Sequence, residues 1–348
     1  MADALHKSER STSPLGVAAP SDAGPGSAGP ASGSGRARAP RPATRGYRHR
    51  TSWRTRLEIT LFAGPALLVY LGFVLLPVGL AAYYSLYKWN GVQDLTNFIG
   101  LDNYTRALKD PVFLRSIAHN AFFVVGSLLI QGPIAIGAAL LLNRPIRGRG
   151  ALRMLIFVPY VLSEVITGIA WLLILQPHGP MDALLNGLGL GGLVHLWLAD
   201  PDIVLWTMLV VICWKYIGFA IILFLAGLQG IPEELTEAAQ IDGASWWQTQ
   251  RRITVPLLGP TIRIWAFLSI IGSLQLFDVV WIMTGGGPAN ASSTMATYMI
   301  NFGFQRSQFG YGSAVAVILF VISFVIALLY QRFVLRRDTA GALTGRTT

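Results

Sequence analysis

The sequence predicts an all-α, polytopic membrane protein with six transmembrane helices and both termini on the cytoplasmic side. Three observations carry this prediction: 53% hydrophobic beside only 13% charged residues, six long apolar runs, and an uneven distribution of Lys and Arg. An average soluble domain carries roughly 25% charged residues. The composition of these 348 residues therefore indicates a lipid environment.

The N-terminal segment, residues 1–56, differs in composition from the rest of the chain. It is rich in Ser, Gly, Pro and Ala, and it holds ten of the 27 Lys and Arg residues. Such a segment cannot bury enough apolar surface to offset the entropy lost on ordering. We therefore predict a disordered basic tail here and a second disordered tail at residues 339–348. The first segment is too long for the charged start of a signal peptide, so the helix after it is expected to be retained.

Between the tails, residues 57–338 are predicted to form one membrane domain. Each apolar run is near or above the roughly 20 residues needed to cross the hydrocarbon core. The runs are residues 59–84, 117–142, 152–175, 203–228, 261–284 and 311–334. The single cysteine, Cys213, lies in the fourth run, so a disulfide framework is excluded and a packed thiol is indicated.

The positions of the basic residues predict the orientation. With the N-terminus inside, the cytoplasmic segments hold 21 of the 27 Lys and Arg residues, the outer segments hold five, and Lys215 lies within the fourth run. Cytoplasmic loops of membrane proteins carry this excess. The net charge of +10 is thus explained by topology, and no nucleic-acid partner is predicted. The longest internal cytoplasmic loop is residues 229–260.

This loop has the local signals of two short helices. Pro232 suits the first helical position, because its missing N–H would have no partner there, and the two glutamates after it complement the positive helix end. Asp242-Gly243 is a natural stop. Ser245, with Gln248 three residues later, has the spacing of a capping box that begins a second helix. We call this predicted helix-turn-helix the elbow.

A partner-binding surface is predicted on the elbow. Small side chains permit close approach of another backbone, and a short helix with an alanine strip and a carboxylate suits a groove on a soluble partner. The expected contact residues are Glu237, Ala238, Ala239, Asp242, Gly243 and Ala244. Composition alone leaves an ordinary amphipathic loop helix as an open alternative.

The elbow resembles the signature of permease subunits of binding-protein-dependent ABC importers: Glu-Ala-Ala, three residues, Gly, and then Ile-x-x-Pro. The matching stretches are Glu237-Ala238-Ala239, Gly243 and Ile253-Thr254-Val255-Pro256, with Val255 where the family usually has Leu. Ile241-Asp242-Gly243-Ala244 is similar to the carbohydrate-uptake branch, the maltose/glycerol-3-phosphate-like family. The resemblance extends from about residue 60 to residue 335 and includes Thr284-Gly285-Gly286-Gly287-Pro288.

The resemblance implies a type I ABC importer permease fold in the bacterial plasma (inner) membrane. The elbow would be the coupling helix that docks into an ABC ATPase subunit dimer, with Glu237 as the ionic anchor and Gly243 permitting the sharp turn. A second six-helix permease and an extracytoplasmic sugar-binding protein are implied partners. The binding protein would dock on the outer loops at residues 85–116, 176–202 and 285–310.

The chain itself is not expected to be an enzyme. A P-loop requires Gly-Lys followed by Ser or Thr. Only Lys7 is followed by such a residue, and it is preceded by His6. The five histidines are too scattered for a metal-binding spacing. We predict no metal, no cofactor and no catalytic constellation, so ATP hydrolysis is assigned to a separate subunit.

Polar residues inside the apolar runs are candidates for the substrate path, because they are costly in lipid and usually face the bundle interior. The expected path residues are Glu164, Lys215, Gln275 and Asp278. Four aromatic residues that could stack on a sugar are expected around the last two. They are Trp265, Phe267, Phe277 and Trp281. For Glu164 and Lys215, buried pairing or placement near an interface remains an alternative. For the aromatic residues the alternative is ordinary packing or an interfacial belt.

Two other functional classes stay open on composition. An ion-coupled secondary transporter could use Glu164, Lys215 and Asp278 for charge coupling. A membrane scaffold could use the basic tail to bind a partner or anionic lipid. Neither class requires the elbow or Gly243, so the importer permease is favoured.

Overall fold

The computed structural model describes residues 53–145 and 147–335, and every structural statement concerns these residues. The predicted tail at residues 1–56 lies outside the described residues except for its last few, which belong to a helix that begins at Trp53. The predicted tail at residues 339–348 lies outside them entirely. The chain divides after Glu58, and the larger of its two units begins at Ile59.

The described residues are helical apart from loops and an isolated β-bridge between Tyr87 and Phe98. The α-helices are α1 (Trp53–Tyr70), α2 (Leu76–Tyr84), α3 (Asp102–Lys109), α4 (Pro111–Gly126), α5 (Gly132–Leu142), α6 (Arg149–Val161), α7 (Glu164–Leu175), α8 (Pro180–Gly187), α9 (Val204–Gln229), α10 (Glu233–Ile241), α11 (Trp246–Thr249), α12 (Val255–Leu257), α13 (Gly259–Leu274), α14 (Asp278–Met283), α15 (Met295–Tyr298) and α16 (Phe309–Tyr330). Turns of π-helix occur at Leu71–Leu75, Ser127–Gln131, Gln250–Thr254, Met299–Phe304 and Gln331–Leu335, and a 3₁₀ turn at Gly191–Leu193. The all-α prediction is confirmed.

The described helices provide the predicted membrane spans. Five stretches are long and apolar enough to cross a membrane: Leu57–Tyr84, Pro111–Leu142, Val204–Gln229, Gly259–Met283 and Phe309–Leu335. The pair formed by α6 and α7 makes a sixth when it is counted as one span. In chain order we number them spans 1 to 6, so the bent pair is span 3.

Span 3 differs from its prediction, because the expected continuous helix over residues 152–175 is wrong. α6 ends at Val161, and α7 leaves it at an angle of 95°. Pro159 lacks an N–H and crowds the preceding turn, which weakens the helix at this point. Ser163 then accepts a hydrogen bond from the Ile166 N–H at 3.2 Å and caps a new helix.

α9 lies at the centre of the helix packing. It packs against α5 and α6, while α14 packs against α7, and α16 against α2 and α3. Buried apolar side chains of α9 join two core clusters, one around Met208 and one around Phe224. α6 approaches α9 closely at Gly218, where a Cβ would lie 2.2 Å from the Ile156 carbonyl oxygen. Residues near Gly218 are therefore held in fixed register with the end of α6.

A polar link joins α4, α15 and α16. Asp110 caps α4 by accepting a hydrogen bond from the Val112 N–H at 2.8 Å. It also accepts one from the Tyr298 hydroxyl at 2.8 Å, and the hydroxyls of Tyr298 and Tyr311 lie 2.6 Å apart. Burial raises the pKa of the Tyr298 phenol, and its hydrogen bonds to Tyr311 and Asp110 act in the same direction. Tyr298 is therefore a neutral donor that ties the three helices together.

Candidate functional site

A cavity of about 280 Å³ lies among spans 2, 4 and 5 and the end of α6. Its wall is formed by Ser127, Gln131, Tyr160, Ile212, Tyr216, Phe219, Trp265, Leu268, Ser269, Gly272, Ser273 and Leu276. Sites for small molecules are typically lined by apolar and aromatic side chains with a few placed polar groups. This wall has that composition, and we refer to the space that it encloses as the cavity.

A chain of hydrogen bonds crosses the cavity wall between spans 2 and 5. The Ser127 hydroxyl donates to Gln131 Oε1 at 2.6 Å and lies 2.6 Å from the Ser269 hydroxyl. Because the Ser127 hydroxyl donates its only proton to Gln131, the Ser269 hydroxyl donates to the Ser127 oxygen. The π-helical turn Ser127–Gln131 brings both span 2 groups into this chain, and such turns are frequent at functional sites.

Aromatic side chains form the rest of the wall. Tyr160, in the last turn of α6, stacks on Phe219 of α9 with ring centroids 5.1 Å apart and planes at 22°. Trp265 of α13 is buried and forms a T-shaped pair with Phe224, with ring centroids 5.5 Å apart. A Cβ at Gly132 would lie 2.6 Å from the Trp265 ring, so the glycine makes room for the indole.

Glu164 and Lys215, two of the predicted path residues, come together beside the cavity. The Lys215 ammonium lies 3.6 Å from Glu164 Oε1, and the Tyr216 hydroxyl donates to the same oxygen at 3.0 Å. Lys215 is only 1% exposed and also donates to the Pro159 carbonyl at 3.1 Å. Neither charged residue lines the cavity, whereas Tyr216 does. The geometry is that of an ion pair between a buried lysine and a partly exposed glutamate, and contact of these two residues with substrate stays a prediction.

Gln275 and Asp278, the other two predicted path residues, lie at the break between α13 and α14. Both are exposed and neither belongs to the cavity wall. Ser273 and Leu276, on either side of Gln275, do line the cavity. The break therefore borders the cavity, while contact of Gln275 and Asp278 with substrate remains a prediction.

The four aromatic residues expected around Gln275 and Asp278 lie in three different settings. Trp265 belongs to the cavity wall, and Phe267 packs against Tyr330 with ring centroids 5.6 Å apart. Phe277 stacks on Trp281 at 5.5 Å. Trp265 and Phe267, two residues apart on one helix, point to different faces. An aromatic environment for Gln275 and Asp278 stays a prediction.

Sequence reasoning missed the polar residues of the cavity wall, yet a signal for them exists. Ser127 and Gln131 are four residues apart in span 2, and Ser269 and Ser273 are four apart in span 5. Residues at this spacing share one face of a helix. Pairs of polar residues at helical spacing within apolar runs indicate the faces that line the cavity.

The first helix of the elbow ends as its sequence predicts. The backbone of Gly243 is left-handed, with φ of 78°. Its N–H donates to the Gln240 carbonyl at 3.0 Å, and the Ala244 N–H donates to the Ala239 carbonyl at 2.9 Å. These two bonds make a Schellman motif. The predicted start is displaced by one position, because Pro232 is the N-cap and α10 begins at Glu233.

The second helix of the elbow begins with the predicted capping box. The Ser245 N–H donates to Gln248 Oε1 at 2.7 Å, and the Gln248 N–H donates to the Ser245 hydroxyl at 3.4 Å. α11 then continues through the π-helical turn into α12, which ends shortly before span 5. The elbow is thus connected to span 5 by nearly continuous helix.

The exposed surface of the elbow is both acidic and apolar. Glu237, Ala238, Asp242 and Gly243 are exposed, and Ala244 is partly so. Ala239 is buried, so its small size serves packing within the loop.

Two large apolar side chains add to this surface. Ile241 is 86% exposed and Trp247 is 72% exposed. Exposed apolar groups bordered by polar residues are typical of interaction sites. The sequence motif did not identify either residue.

A second, larger concavity lies beside the elbow. Its volume is about 720 Å³, and its lining includes Glu233, Glu237 and Arg144. The Arg144 guanidinium lies over the Trp246 ring at 5.1 Å from the centroid, which connects the loop after α5 to the elbow. Glu237 therefore lies at the rim of a recess rather than on a flat surface.

Comparison with known proteins identifies relatives of the whole membrane domain. Residues 131–339 match the model of the family described as binding-protein-dependent transport system inner membrane component. The diacetylchitobiose uptake system permease protein NgcF of Streptomyces coelicolor is 33% identical over 319 residues, covering 87% of this chain and 90% of that protein. The trehalose/maltose transport system permease protein MalF of Thermococcus litoralis is 32% identical, covering 77% and 90%.

A solved structure has the same fold. It is a chain of a bacterial ABC transporter involved in the import of the acidic polysaccharide alginate. The TM-score is 0.71 at 25% identity, and the match covers 82% of this chain and 98% of the other. The predicted type I ABC importer permease fold is therefore confirmed.

Proposed function

We propose that this chain, which belongs to the family of binding-protein-dependent transport system inner membrane components, is a permease subunit through which an ABC importer moves carbohydrate. The family consists of multi-pass inner-membrane subunits that are not themselves enzymes. Relatives named for diacetylchitobiose and for trehalose and maltose support a carbohydrate cargo. The observation that carries the proposal is the composition of the cavity wall.

The cavity offers the two kinds of contact that a sugar needs. Tyr160, Phe219 and Trp265 provide flat apolar faces for the C–H face of a sugar ring. Gln131 and Ser269 provide an amide and a hydroxyl for sugar hydroxyls. The described residues of the wall include no charged side chain, which suits a neutral cargo better than an ion.

Variants of the cavity wall test this proposal. In the complete importer, Gln131→Leu is expected to lower carbohydrate uptake about tenfold. The variant loses a hydrogen bond to the sugar, which contributes about 1 kcal/mol or more of binding free energy. A change of about 1.4 kcal/mol corresponds to tenfold. Ser269→Ala should act in the same direction. Uptake of radiolabelled disaccharides and oligosaccharides is the measurement.

Ser323→Ala is the matched control for these variants. Ser323 is also a buried serine of a membrane span, but among the described residues its hydroxyl has no hydrogen-bond partner, and it does not line the cavity. Uptake should be unchanged in this variant. Normal uptake in both cavity variants, or equal losses in all three, would exclude the cavity as the carbohydrate path.

We further propose that the elbow receives the motion of a separate ABC ATPase dimer and transmits it to the membrane helices. The resemblance of Glu237-Ala238-Ala239 and Gly243 to the family signature supports this role. The nearly continuous helix from α11 to α12 gives the motion a stiff path toward span 5, which lines the cavity. A second six-helix permease would complete the translocation path, because an importer of this family has two permease halves and this chain supplies one of them.

The proposed orientation has both termini in the cytoplasm, with the extracytoplasmic binding protein docking on the loops at residues 85–116, 176–202 and 285–310. The excess of Lys and Arg on the elbow side supports it. The basic tail at residues 1–56 would then face the anionic inner leaflet. Residues 57–338 would make up the permease domain.

Cysteine labelling tests the orientation. In a Cys213→Ala background, Val92→Cys and Glu234→Cys each place one thiol at an exposed position, in the loop after α2 and on the elbow respectively. A membrane-impermeant maleimide added to intact cells should modify only the thiol at position 92. The thiol at position 234 should react only after permeabilisation. The reverse pattern would show that the topology is the opposite of the proposed one and that the elbow lies on the other side of the membrane from a cytoplasmic ATPase.

A further inference from the structure

Two breaks in the membrane helices border the cavity. One separates α6 from α7 next to Tyr160, and the other separates α13 from α14 next to Ser273 and Leu276. A break frees backbone carbonyls that a continuous helix would satisfy. At membrane depth these carbonyls need partners from the protein. The side chains that supply them therefore fix the geometry of the cavity wall.

Lys215 supplies the partners at the break in span 3. Its ammonium, arriving from α9, donates to the carbonyls of Pro159 at 3.1 Å and Tyr160 at 3.5 Å, and also to that of Leu162. A cation is favourable at the C-terminal end of a helix, where the carbonyls point outward. One buried side chain thus holds the end of α6 in its bent position.

Asn120 has the same arrangement at the break in span 5. It is fully buried, and its amide N–H groups donate to the carbonyls of Ser273 at 2.7 Å and Leu274 at 3.2 Å. Its amide oxygen accepts from the Met295 N–H at 2.8 Å. At both breaks beside the cavity, a polar side chain from a neighbouring helix therefore donates hydrogen bonds to the freed carbonyls. The arrangement at Lys215 thus has a counterpart at Asn120.

We propose that Lys215 is a positioning residue: it holds the bend of span 3 through the freed carbonyls of α6 and so places Tyr160 in the cavity wall. This role takes the place of the substrate contact that the sequence predicts for Lys215. This inference rests on the proposed function in taking the cavity as the carbohydrate path. Two observations support it. Lys215 is buried outside the cavity lining, and the carbonyl of Tyr160 is itself one of its acceptors.

The ion pair with Glu164 offers a competing account of Lys215. Glu164 lies 3.6 Å from the ammonium, and its carboxylate also accepts from Tyr216. If Lys215 serves mainly to neutralise Glu164, removing either charge should have the same effect. If it serves mainly to hold the carbonyls, neutralising Glu164 should leave the bend intact. The two accounts therefore predict different results for Lys215→Met and Glu164→Gln.

Spin-label distances measure the bend directly. In the complete chain with Cys213→Ala, labels at Met154→Cys of α6 and Leu173→Cys of α7 occupy exposed positions on either side of the break. The parent protein in lipid nanodiscs should give one narrow distance distribution. Lys215→Met should shift its mean or at least double its width. Glu164→Gln should leave it unchanged.

Two further variants keep the result decisive. Leu225→Ala truncates another buried side chain of α9 away from the break, so it controls for general loss of packing and should preserve the narrow distribution. Lys215→Gln keeps a neutral donor and should fold more readily than the Met variant, with a distribution between those of the parent and Lys215→Met. A parental distribution in both Lys215 variants, or equal changes in Lys215→Met and Glu164→Gln, would overturn the proposal.

Carbohydrate uptake by the same variants separates this inference from the proposed function. Lys215→Met should lower uptake while the ATPase still co-purifies, because the elbow is unaltered. If the parent importer takes up no carbohydrate, the proposed function fails, and the label distances still decide the role of Lys215. If the distances overturn that role while the parent transports carbohydrate, the proposed function stands.

Discussion

Replacing Gly243 by Val is expected to remove most of the coupled uptake while the membrane spans remain folded. The residue has φ of 78°, a conformation that L-residues adopt at a cost of about 1–2 kcal/mol and that β-branched residues adopt least readily. Relieving this strain would undo the Schellman motif and displace the helix after it. We expect uptake and the amount of co-purified ATPase each to fall about tenfold or more. A loss of about 1.4 kcal/mol in the free energy of ATPase binding corresponds to a tenfold change.

The surroundings of Gly243 allow strain to be separated from contact. A Cβ at this position would meet no atom within 4 Å, so any loss caused within the chain comes from backbone conformation. Gly243→Asn is the matched variant, because Asn tolerates the left-handed region. It should retain most of the uptake. Equal losses in the Val and Asn variants would mean that the partner contacts position 243 directly.

A second glycine controls for strain elsewhere in the chain. Gly189 has φ of 73° and also has open space around its missing side chain, but it lies between α8 and α9, far along the chain from the elbow. Gly189→Val should leave ATPase co-purification unchanged. Glu237→Gln, which removes the proposed anchor without altering the backbone, should weaken co-purification. Full uptake and co-purification in both Gly243→Val and Glu237→Gln would exclude the elbow as the coupling element.

The elbow could be predicted from sequence because its structure is determined locally. The capping box of Ser245 and Gln248 and the left-handed Gly243 involve partners within five residues along the chain. Such patterns are readable without knowledge of the fold. The exposed side chains of Ile241 and Trp247 escaped prediction, since exposure depends on how the whole loop packs.

The cavity could not be predicted in the same way, because non-local contacts create it. Lys215 is recognisable in the sequence as a polar residue in an apolar run, but its partners at Pro159 and Leu162 lie more than 50 residues earlier in the chain. The bend in span 3 likewise involves the cap at Ser163 and the lysine of α9 as well as Pro159. Hydropathy detects only that a segment is long and apolar enough to cross the membrane. It does not distinguish a continuous helix from a broken one, because the bent pair of span 3 passes the same test.

Gly218→Ala is expected to have a large effect on transport although it adds a single methyl group. The new Cβ would lie 2.2 Å from the Ile156 carbonyl oxygen and 3.1 Å from the Phe157 Cα, both backbone atoms that cannot rotate away. α6 would have to move away from α9, and overpacking of this kind costs about 1–3 kcal/mol. We expect a lower melting temperature of the purified protein and a loss of uptake of about tenfold or more.

Gly137→Ala is the matched control for Gly218→Ala. Gly137 is also a helical glycine in a membrane span, and a Cβ there would meet no atom within 4 Å. Ala is the better helix former by about 1 kcal/mol, so this variant should melt at the same or a higher temperature and transport normally. Parental melting and uptake in Gly218→Ala would show that α6 and α9 can separate freely.

The position of Gly218 determines which kind of loss is expected. It lies between Lys215, which holds the end of α6, and Phe219, which stacks on Tyr160 of the cavity wall. Moving α6 outward would therefore lengthen the bonds to Lys215 and withdraw Tyr160 from Phe219 together. The comparison is with a variant that truncates Leu225 and has the same melting temperature as Gly218→Ala. Uptake should fall further in Gly218→Ala, because only this variant displaces α6, the helix that carries Tyr160 in the cavity wall.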